Sequence, residues 1–552
     1  MKLLKECILL LLIIALSFWT WVPLLHTGFF PIHDNTQVAR VYEMGKSLSD
    51  GMFPVRWVSD LGYGYGYPIF TFYAPLAYYL GGLFTFFLSS LIATKVMIGI
   101  GIVFSAVTMF FLGRKLFGLW GGLLSSAFYL YAPYHAVDIY VRGDIGELFA
   151  YAFIPLAFLG VVFLLEKQYW KGVIIGSLGL SGIIVSHNLT AMMITPFLLV
   201  SLLIVLLVKK NVWKYAALLF FLGLGLSAFY IIPVFGEMRY TNVLSQIGGG
   251  ADFHDHFVCL SQLWQSQWGY GGSAKGCVDG FSFMIGKIQI IFAILAAFSV
   301  PFVWKKSKMV AWVIMFSLLS LLLVIFLMLP QSVFIWNIFS PMAFIQYPWR
   351  FLLLASFFTA LLGGGFFYIC TLFVKKQVQM LVLVVVLAGT IFISAKYFVP
   401  EMYQNFASSI YTNPQALTFT TSKISDEYMP KNFKKPIQPE EVPTTLIGLK
   451  EGTFHVISDK TQEKKIVVRV PQKETAKVNI AYFPAWKAYV DGKATALFPA
   501  QDGMMISVPQ GSHVIRIVYL ETPVEWLGDI VSLTSIAFII LVIIKGLYGS
   551  KS

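Results

Sequence analysis

Twelve long apolar runs constrain this sequence more than any other feature. Each has about the length that an α-helix needs to cross the hydrocarbon core of a bilayer, roughly 20 residues. They lie near residues 7–25, 92–113, 117–134, 148–165, 171–187, 190–208, 213–232, 286–304, 309–329, 350–374, 379–399 and 524–545. Only 12% of the residues are charged, about half the share in soluble domains. The sequence therefore predicts an α-helical polytopic membrane protein, in which the uncharged run Cys7 to Leu25 is retained as an anchor.

Basic residues in the short loops between the runs predict the orientation. Five basic clusters fall on the cytoplasmic side when the N-terminus is cytoplasmic: Arg114-Lys115, Lys167 to Lys171, Lys209 to Lys214, Lys305 to Lys308 and Lys375-Lys376. This orientation requires that the apolar segment 72–90 stays at the membrane surface; if it crosses, the count rises to thirteen. Topology accounts for much of the net charge of +13, so we expect the lipid bilayer, and no nucleic acid, as a partner.

Three parts follow from this topology. Residues 1–399 form a transmembrane module whose first outer loop is 26–91, and 524–552 form the last span and a cytoplasmic tail. Residues 400–523 form a small extracytoplasmic β-sandwich-like domain, because alternating stretches such as Lys465 to Val470 and His513 to Tyr519 indicate strands. Asp491-Gly492 and Gln510-Gly511 are candidate hairpin turns.

Asp34 is the first candidate for chemistry, because it is a carboxylate that follows the first span at the water interface. It has the character of a general base or a metal ligand. The alternative is an N-cap for a helix over Thr36 to Leu48, a position that Asp favours.

A second candidate is the acidic stretch from Asp138 to Glu147. It contains Asp138, Tyr140, Arg142, Asp144 and Glu147. These groups either pair with one another as a structural network, or leave a carboxylate beside an acceptor hydroxyl while Arg142 binds phosphate. The spacing leaves both readings open.

Other polar residues lie at the outer ends of the spans. Tyr347 and Arg350 either anchor the chain at the interface or clamp a phosphate. His187, Glu237 and Arg239 are expected to be capping or pairing groups, and His33 and Arg56 belong to the first outer loop. Cys259 and Cys277 share an outer loop, where one disulfide between them is an open option. His254 and His256 have a weak metal-ligand spacing in that loop.

Short motifs from across the chain resemble known bacterial membrane families. They include His33-Asp34, Phe53-Pro54-x-Arg56-Trp57, Gly64-Tyr65-Gly66-Tyr67-Pro68, Tyr140-x-Arg142-Gly143-x-x-x-Glu147, Ser186-His187-Asn188 and Gln346-Tyr347-Pro348-Trp349-Arg350. Together they resemble the "6-pyruvoyl-tetrahydropterin synthase-related membrane protein" family, and Tyr482 to Gly492 resembles the closing domain of YfhO-like proteins. The chain has no convincing three-histidine zinc site of a pterin synthase, and the more informative resemblance is to the GT-C superfamily of glycosyltransferases.

The GT-C resemblance implies a reaction and roles for these residues. It implies inverting transfer of a sugar from a polyprenyl-phosphate donor to a cell-envelope glycan, polymer or lipid, on the outer face of the bacterial cytoplasmic membrane. Asp34 would be the catalytic base, with Asp144 or Glu147 orienting the acceptor or holding a metal. His33, Arg56, Arg142, His187, Glu237, Arg239, Tyr347 and Arg350 would bind substrate. Paired acids are common in the first loop of that superfamily, and His33-Asp34 takes their place here, so a divalent metal is allowed but not required.

Two other functions remain open from the sequence alone. A transporter or flippase of lipid-linked saccharides would also place aromatic residues and arginines around a cavity. It would, however, carry charged residues at mid-membrane or paired broken helices, whereas the polar residues here gather at the outer ends of the spans. A non-catalytic cell-envelope assembly protein would tolerate replacement of Asp34.

Overall fold

The computed structural model describes residues 2–243 and 251–549. Residues 244–250 of the predicted outer loop 233–285 and the last three residues of the tail lie outside this part. Nine of the described helices are long and apolar enough to cross a bilayer: Ser90–Leu130, Ile145–Leu165, Tyr169–Ser186, Asn188–Val208, Lys287–Trp304, Lys308–Met328, Pro348–Phe373, Lys376–Tyr397 and Pro523–Lys545. The protein is therefore a multi-pass membrane protein, as its hydropathy predicts.

The first of these helices, Ser90–Leu130, is a hairpin of two antiparallel arms. Gly118 breaks it with φ 79° and ψ −179°, a backbone conformation that glycine tolerates. On either side of the break the arms are in contact, because a Cβ on Gly122 would lie only 2.4 Å from the backbone nitrogen of Arg114. Farther along, the Ser126 hydroxyl donates to the carbonyl of Ala106 at 2.7 Å. The two predicted spans 92–113 and 117–134 are thus packed against each other.

Two further predicted spans are bent pairs of helices. Glu6–Leu16 and Phe18–Leu25 meet at 52°, and Trp213–Leu226 and Ala228–Tyr240 meet at 66°. Counting each pair as one span, and the hairpin as two, gives the twelve spans that the sequence predicts. Segment 72–90 contains only the nine-residue helix Leu76–Phe84, about 13.5 Å long at 1.5 Å per residue. It is too short to cross a bilayer.

Shorter helices lie between these spans along the chain. They are Gln37–Ser49, Ile69–Phe72, Pro133–Val137, Leu260–Trp264, Val333–Ile338, Ser409–Thr412 and Ser422–Ile424. Cys259 and Cys277 form a disulfide with their Cα atoms 5.5 Å apart, which settles the option left open by the sequence. His254 bonds Asp252 and Asn337, whereas His256 bonds Ser273, so the two histidines bond different partners.

The C-terminal β domain consists of two antiparallel sheets. Its strands are β1 Ile447–Gly448, β2 Thr453–Lys460, β3 Glu463–Val470, β4 Glu474–Val478, β5 Trp486–Val490, β6 Lys493–Thr495, β7 Leu497–Ala500, β8 Gly503–Val508 and β9 Gly511–Tyr519. The sheets have the strand orders β1-β4-β8-β7 and β2-β3-β9-β5-β6. The strands begin only at Ile447, so residues 400–446 of the predicted β domain form a connecting segment of short helices and loops.

Of the two predicted hairpin turns, one is right and one is wrong. Asp491-Gly492 joins the paired strands β5 and β6, with both residues at positive φ. Gln510-Gly511 instead lies between β8 and β9, which belong to different sheets. The turn residues are suitable in both places, but the second one passes the chain from one sheet to the other.

The first outer loop and the β domain share one hydrophobic core. Trp57 is 1% exposed and packs edge-on against Trp486, with ring centroids 5.4 Å apart. The backbone N–H of Ala481 donates to the carbonyl of Tyr65 at 2.9 Å. The β domain is therefore seated on the loop that carries Asp34.

Candidate active site

The candidate site is built on a backbone contact between the first outer loop and residues 141–143. The N–H groups of His33 and Asp34 donate to the carbonyls of Val141 and Arg142 at 3.0 and 3.3 Å. Gly143 has a positive φ of 66°, and a Cβ there would lie 2.3 Å from Ile32. Only glycine allows this approach without rearrangement, so it helps to place Asp34 beside the acidic stretch.

Local backbone structure gathers the acidic stretch around one point. Asp138–Arg142 form one turn of π-helix, a rare element that is frequent at functional sites. Asp144 follows as the N-cap of helix Ile145–Leu165, and its carboxylate accepts from the backbone N–H of Glu147 at 3.0 Å. Carboxylates at a helix N-terminus are stabilised by the unpaired N–H groups there.

The Arg142 guanidinium is at the centre of this cluster. Its Nη1 donates to Asp138 at 2.9 Å and to Glu147 at 2.8 Å, and its Nη2 donates to Asp144 at 2.8 Å. It also lies 4.9 Å from the ring centroid of Trp349. Of the two readings left open by the sequence, the structure contains the internal network, because Arg142 is already paired with three carboxylates.

Burial and neighbouring charges shift the pKa values of Asp138 and Asp144 in opposite directions. Burial, together with the nearby Glu147, raises the pKa of Asp138 well above its ordinary value. Burial alone would also raise the pKa of Asp144, but His187, Arg142 and Arg350 together hold it below its ordinary value. Asp144 is thus held in its ionised form beside the guanidinium groups of Arg142 and Arg350.

His187 closes the cluster from the turn between two spans. It is the N-cap of helix Asn188–Val208, as its expected capping role requires, and its Nδ1 is 2.8 Å from the Thr190 hydroxyl. Its Nε2 lies 3.8 Å from Asp144. Asp144, Glu147 and His187 each offer a ligand atom within 4.8 Å of the others. This oxygen and nitrogen set, with the imidazole fixed through its other nitrogen, fits a divalent cation that would share both carboxylates with Arg142.

Arg350 is close to the cluster, where its charge helps to lower the pKa of Asp144, and it keeps unused donors. Its side chain is 9% exposed, yet Nε and Nη1 have no hydrogen-bond partner among the described residues. The guanidinium lies 5.4 Å from the ring centroid of Tyr347, which stacks on Trp349. A buried donor without a partner costs about 1–3 kcal/mol, and more when it is charged. Such a fork is ready to receive an anion such as phosphate.

Asp34 is exposed, and its carboxylate has no side-chain partner within residues 2–243 and 251–549. The neighbouring His33 bonds the Tyr270 carbonyl through Nε2 at 2.9 Å. The capping alternative for Asp34 is wrong, because helix Gln37–Ser49 begins one residue later than predicted and its N-cap is Thr36. An open carboxylate at the edge of a buried charged cluster is suited to accept a proton from a substrate.

Sequence reasoning assigned no role to a second layer next to Asp34. Arg40 is buried, donates to the Ser425 hydroxyl at 2.9 Å, and lies 4.3 Å from the ring centroid of Tyr73. Ser425 in turn donates to Glu427 at 3.3 Å, and burial raises the pKa of Glu427, with Asp34 a smaller contributor. Ser425 and Glu427 come from the connecting segment 400–446, whose sequence has no periodic pattern that would reveal the contact.

Three predicted substrate-binding residues lie elsewhere, and two of them contact the last span or the residue that precedes it. Arg56 donates to Asp529 at 2.7 Å and to the Phe229 carbonyl at 2.6 Å. Glu237 accepts from the Thr522 hydroxyl, and the exposed Arg239 covers the ring of Tyr240. The contacts of Arg56 and Glu237 hold the final helix, so the structure does not bring these three residues to the Arg142 cluster.

An apolar groove of about 790 Å³ lies between helices Lys287–Trp304 and Lys308–Met328. Aliphatic and aromatic side chains line it, and Ile285 lies at its margin. Two residues before Ile285, Phe283 contacts Trp349, and so does Phe281. Ile285, which lines the groove, is thus two residues from a side chain that contacts Trp349, the neighbour of Arg350 in the chain.

Comparison with known proteins identifies one relative of unknown function. No protein-family model matches the sequence, so the resemblance to the pterin-synthase-related and YfhO-like families stays a prediction. The chain is similar to an uncharacterised protein of Lactococcus lactis subsp. cremoris (strain MG1363), with 26% identity over 217 residues, which are 36% of this chain and 35% of that protein. The chain thus matches about a third of the length of this relative.

Three solved structures have a similar arrangement. The Archaeoglobus fulgidus oligosaccharyltransferase in the apo form has a TM-score of 0.44 and 11% identity, over 79% of this chain and 61% of that one. The oligosaccharyltransferase AglB of the same organism, with an inhibitory peptide and a dolichol-phosphate, has a TM-score of 0.45 and 12% identity, over 80% of this chain and 61% of that one. The arabinofuranosyltransferase AftD from Mycobacteria has a TM-score of 0.42 and 11% identity, over 73% of this chain and 27% of that one. Because these TM-scores are below 0.5 and the chain spans less than two thirds of each, we base its function on the site itself.

Proposed function

We propose that this protein is a membrane glycosyltransferase of the GT-C type, which transfers a sugar from a polyprenyl-phosphate donor to a cell-envelope acceptor on the outer face of the bacterial cytoplasmic membrane. The observation that carries the proposal is Arg350, a buried guanidinium in which two nitrogens have no hydrogen-bond partner within residues 2–243 and 251–549. Arg350 is close enough to Asp144 to help lower the pKa of that carboxyl group, and the backbone N–H of Asp34 bonds the carbonyl of Arg142 in the same cluster. A lipid-linked phosphate is a ligand whose phosphate fits this guanidinium and whose lipid fits the apolar groove.

In the proposed reaction, Asp34 accepts the proton of the acceptor hydroxyl while that oxygen attacks the anomeric carbon of the donor. The bond between the anomeric carbon and the phosphate oxygen breaks, and the configuration at carbon inverts. Arg350 stabilises the charge that develops on the leaving lipid phosphate, in a buried setting where such an interaction is strong. The acceptor is a glycan, a polymer or a lipid of the cell envelope.

The Arg142 cluster positions the reacting groups in this scheme. The hydrogen bonds of Arg142 to three carboxyl groups tie residues 138–147 together, and the backbone of that stretch bonds the N–H groups of His33 and Asp34. His33 and Tyr347 flank the site as substrate contacts. Asp144, Glu147 and His187 would hold a divalent cation, which when bound would supply a Lewis acid for the phosphate oxygens.

The test is transfer of label from a panel of radiolabelled polyprenyl-phosphate sugars by membranes that contain the wild-type chain. We expect label to leave the lipid fraction, and we expect Arg350→Met to lower the rate by about 10²–10³-fold, the usual effect of losing one stabilising donor. Arg469→Met, an exposed arginine on β3, is the matched control. Absence of transfer from every donor, or equal rates for Arg350→Met and Arg469→Met, would contradict the proposal.

A further inference from the structure

A small polar cavity lies between the first outer loop and the β domain. Its volume is about 200 Å³, below the roughly 300–1,000 Å³ of sites for drug-sized ligands, so it has room for one small polar ring. We call it the Lys46 pocket. The polar side chains that line it include Lys46, Asp60, Tyr65, Asp459, Lys464 and Asn479.

The charges of the Lys46 pocket are already paired with one another. Lys46 contacts both carboxylate oxygens of Asp60 at 2.6 and 2.7 Å, and Lys464 is paired with Asp459. Two lysines thus face two aspartates. A pocket with balanced charges has no net attraction for a phosphate or an ammonium group, and it favours a neutral ligand that can both donate and accept hydrogen bonds.

Asn479 provides an unused hydrogen-bond acceptor in the same pocket. Its side chain is 9% exposed, and its amide NH₂ donates to the Thr445 carbonyl at 2.8 Å. This contact fixes the amide, yet its Oδ1 is buried without a partner among the described residues. Buried polar atoms normally have a hydrogen-bond partner, so we expect this oxygen to accept a hydrogen bond from a ligand group such as a hydroxyl.

Buried polar side chains on helix Gln37–Ser49 lie between the pocket and the candidate active site. Gln37, Arg40 and Glu43 precede Lys46 at intervals of three along helix Gln37–Ser49, so that neighbours lie on adjacent turns. All three are less than 5% exposed. From Gln37, beside the Asp34 loop, to Lys46 the helix rises about 13.5 Å at 1.5 Å per residue. A ligand in the pocket is therefore too far away to react at Asp34.

We propose that the Lys46 pocket binds a sugar residue of the acceptor glycan, remote from the hydroxyl that reacts. A sugar ring is neutral and small, and its hydroxyls match Asn479 Oδ1, the Asp60 carboxylate and the lysine ammonium groups. The hydroxyl and ring of Tyr65 add an amphipathic wall. The assignment to the acceptor rests on the proposed function, whereas sugar binding does not. Remote contacts of this kind raise transfer to long acceptors over truncated ones.

The experiment measures sugar binding separately from transfer. The full-length Asp34→Asn chain in detergent is titrated with the methyl glycosides of glucose, galactose, mannose and N-acetylglucosamine, and saturation-transfer NMR reports binding. We expect at least one probe to bind, and we expect Asn479→Leu and Asp60→Asn each to weaken it at least tenfold. Glu451→Gln, which neutralises an exposed acid on the β domain, should leave binding unchanged. If Asn479→Leu fails to fold, Asp60→Asn still tests the pocket, because asparagine has the same shape as aspartate.

The outcomes separate this inference from the proposed function. If the probe binds and the pocket variants lose that binding, while the wild-type chain transfers no sugar from any donor, the result would support the pocket and overturn the function. Normal transfer together with no bound probe, or with binding that Asn479→Leu and Asp60→Asn leave unchanged, would overturn the pocket alone. In active protein, Asp60→Asn should raise KM for a long acceptor and leave KM for the donor unchanged.

Discussion

Replacing Arg142 with methionine should strongly destabilise the protein. Arg142 is 6% exposed, and the three carboxylates that it pairs with are 0–5% exposed, at donor–acceptor distances of 2.8–2.9 Å. Methionine keeps most of the volume but removes the cation, so the carboxylates are left buried without it. Breaking a buried pair in this way costs about 3–5 kcal/mol.

The measurement is reversible unfolding by SDS in mixed micelles, compared with a matched arginine at the protein surface. Arg114→Met removes a pair to Glu6 whose side chains are 35% and 38% exposed, and an exposed pair of this kind is worth at most about 1 kcal/mol. Adding Glu147→Gln to Arg142→Met should recover part of the loss, because the two changes remove opposite charges that are in contact. Equal losses for Arg142→Met and Arg114→Met would refute the reasoning.

Three further predictions follow from other contacts. Arg350→Lys should retain less than about a tenth of the transfer rate, because an ammonium group cannot reproduce the guanidinium fork, and a rate near that of the wild type would contradict the phosphate role. Burial, with Asp529 nearby, raises the pKa of Glu521 to about 7. Because the folded state favours the protonated acid, the contribution of Glu521 to stability should be largest below about pH 4.5 and should be lost as pH rises to about 7. Glu521→Gln should flatten this dependence in SDS unfolding, and an unchanged slope would contradict it. Cys277→Ser opens a loop of 18 residues and should cost about 3 kcal/mol, seen as faster proteolysis within 259–277; unchanged proteolysis would contradict it.

Features that depend on nearby residues were predictable from the sequence. The length of the apolar runs predicted the membrane spans, including the two helical arms that meet at Gly118, because about 20 apolar residues are needed to cross a bilayer as a helix. Alternation gave the strands, such as Lys465 to Val470. The hairpin at Asp491-Gly492 was also predictable, because its two strands are adjacent in the chain. The hairpin predicted at Gln510-Gly511 was wrong, because a turn sequence does not determine which sheet the next strand joins.

Contacts between distant residues could not be predicted in the same way. The sequence places Arg142 among carboxylates but does not decide whether they pair with it or with a substrate. Arg56 was expected to bind substrate, yet its partner Asp529 lies 473 residues later. The contact between Arg40 and Ser425 spans 385 residues. These pairings depend on how the connecting segment and the last helix pack on the first outer loop, which has no local sequence signature.

The most direct test of the central claim is the rate of sugar transfer by Asp34→Asn. The substitution keeps the shape of the side chain and the backbone bond to Arg142 but removes the base. A general base contributes about 10²–10⁴-fold, so the account predicts a loss of at least about 100-fold, in protein that is inserted and elutes like the wild type. Transfer by Asp34→Asn within a factor of two of the wild type would contradict it.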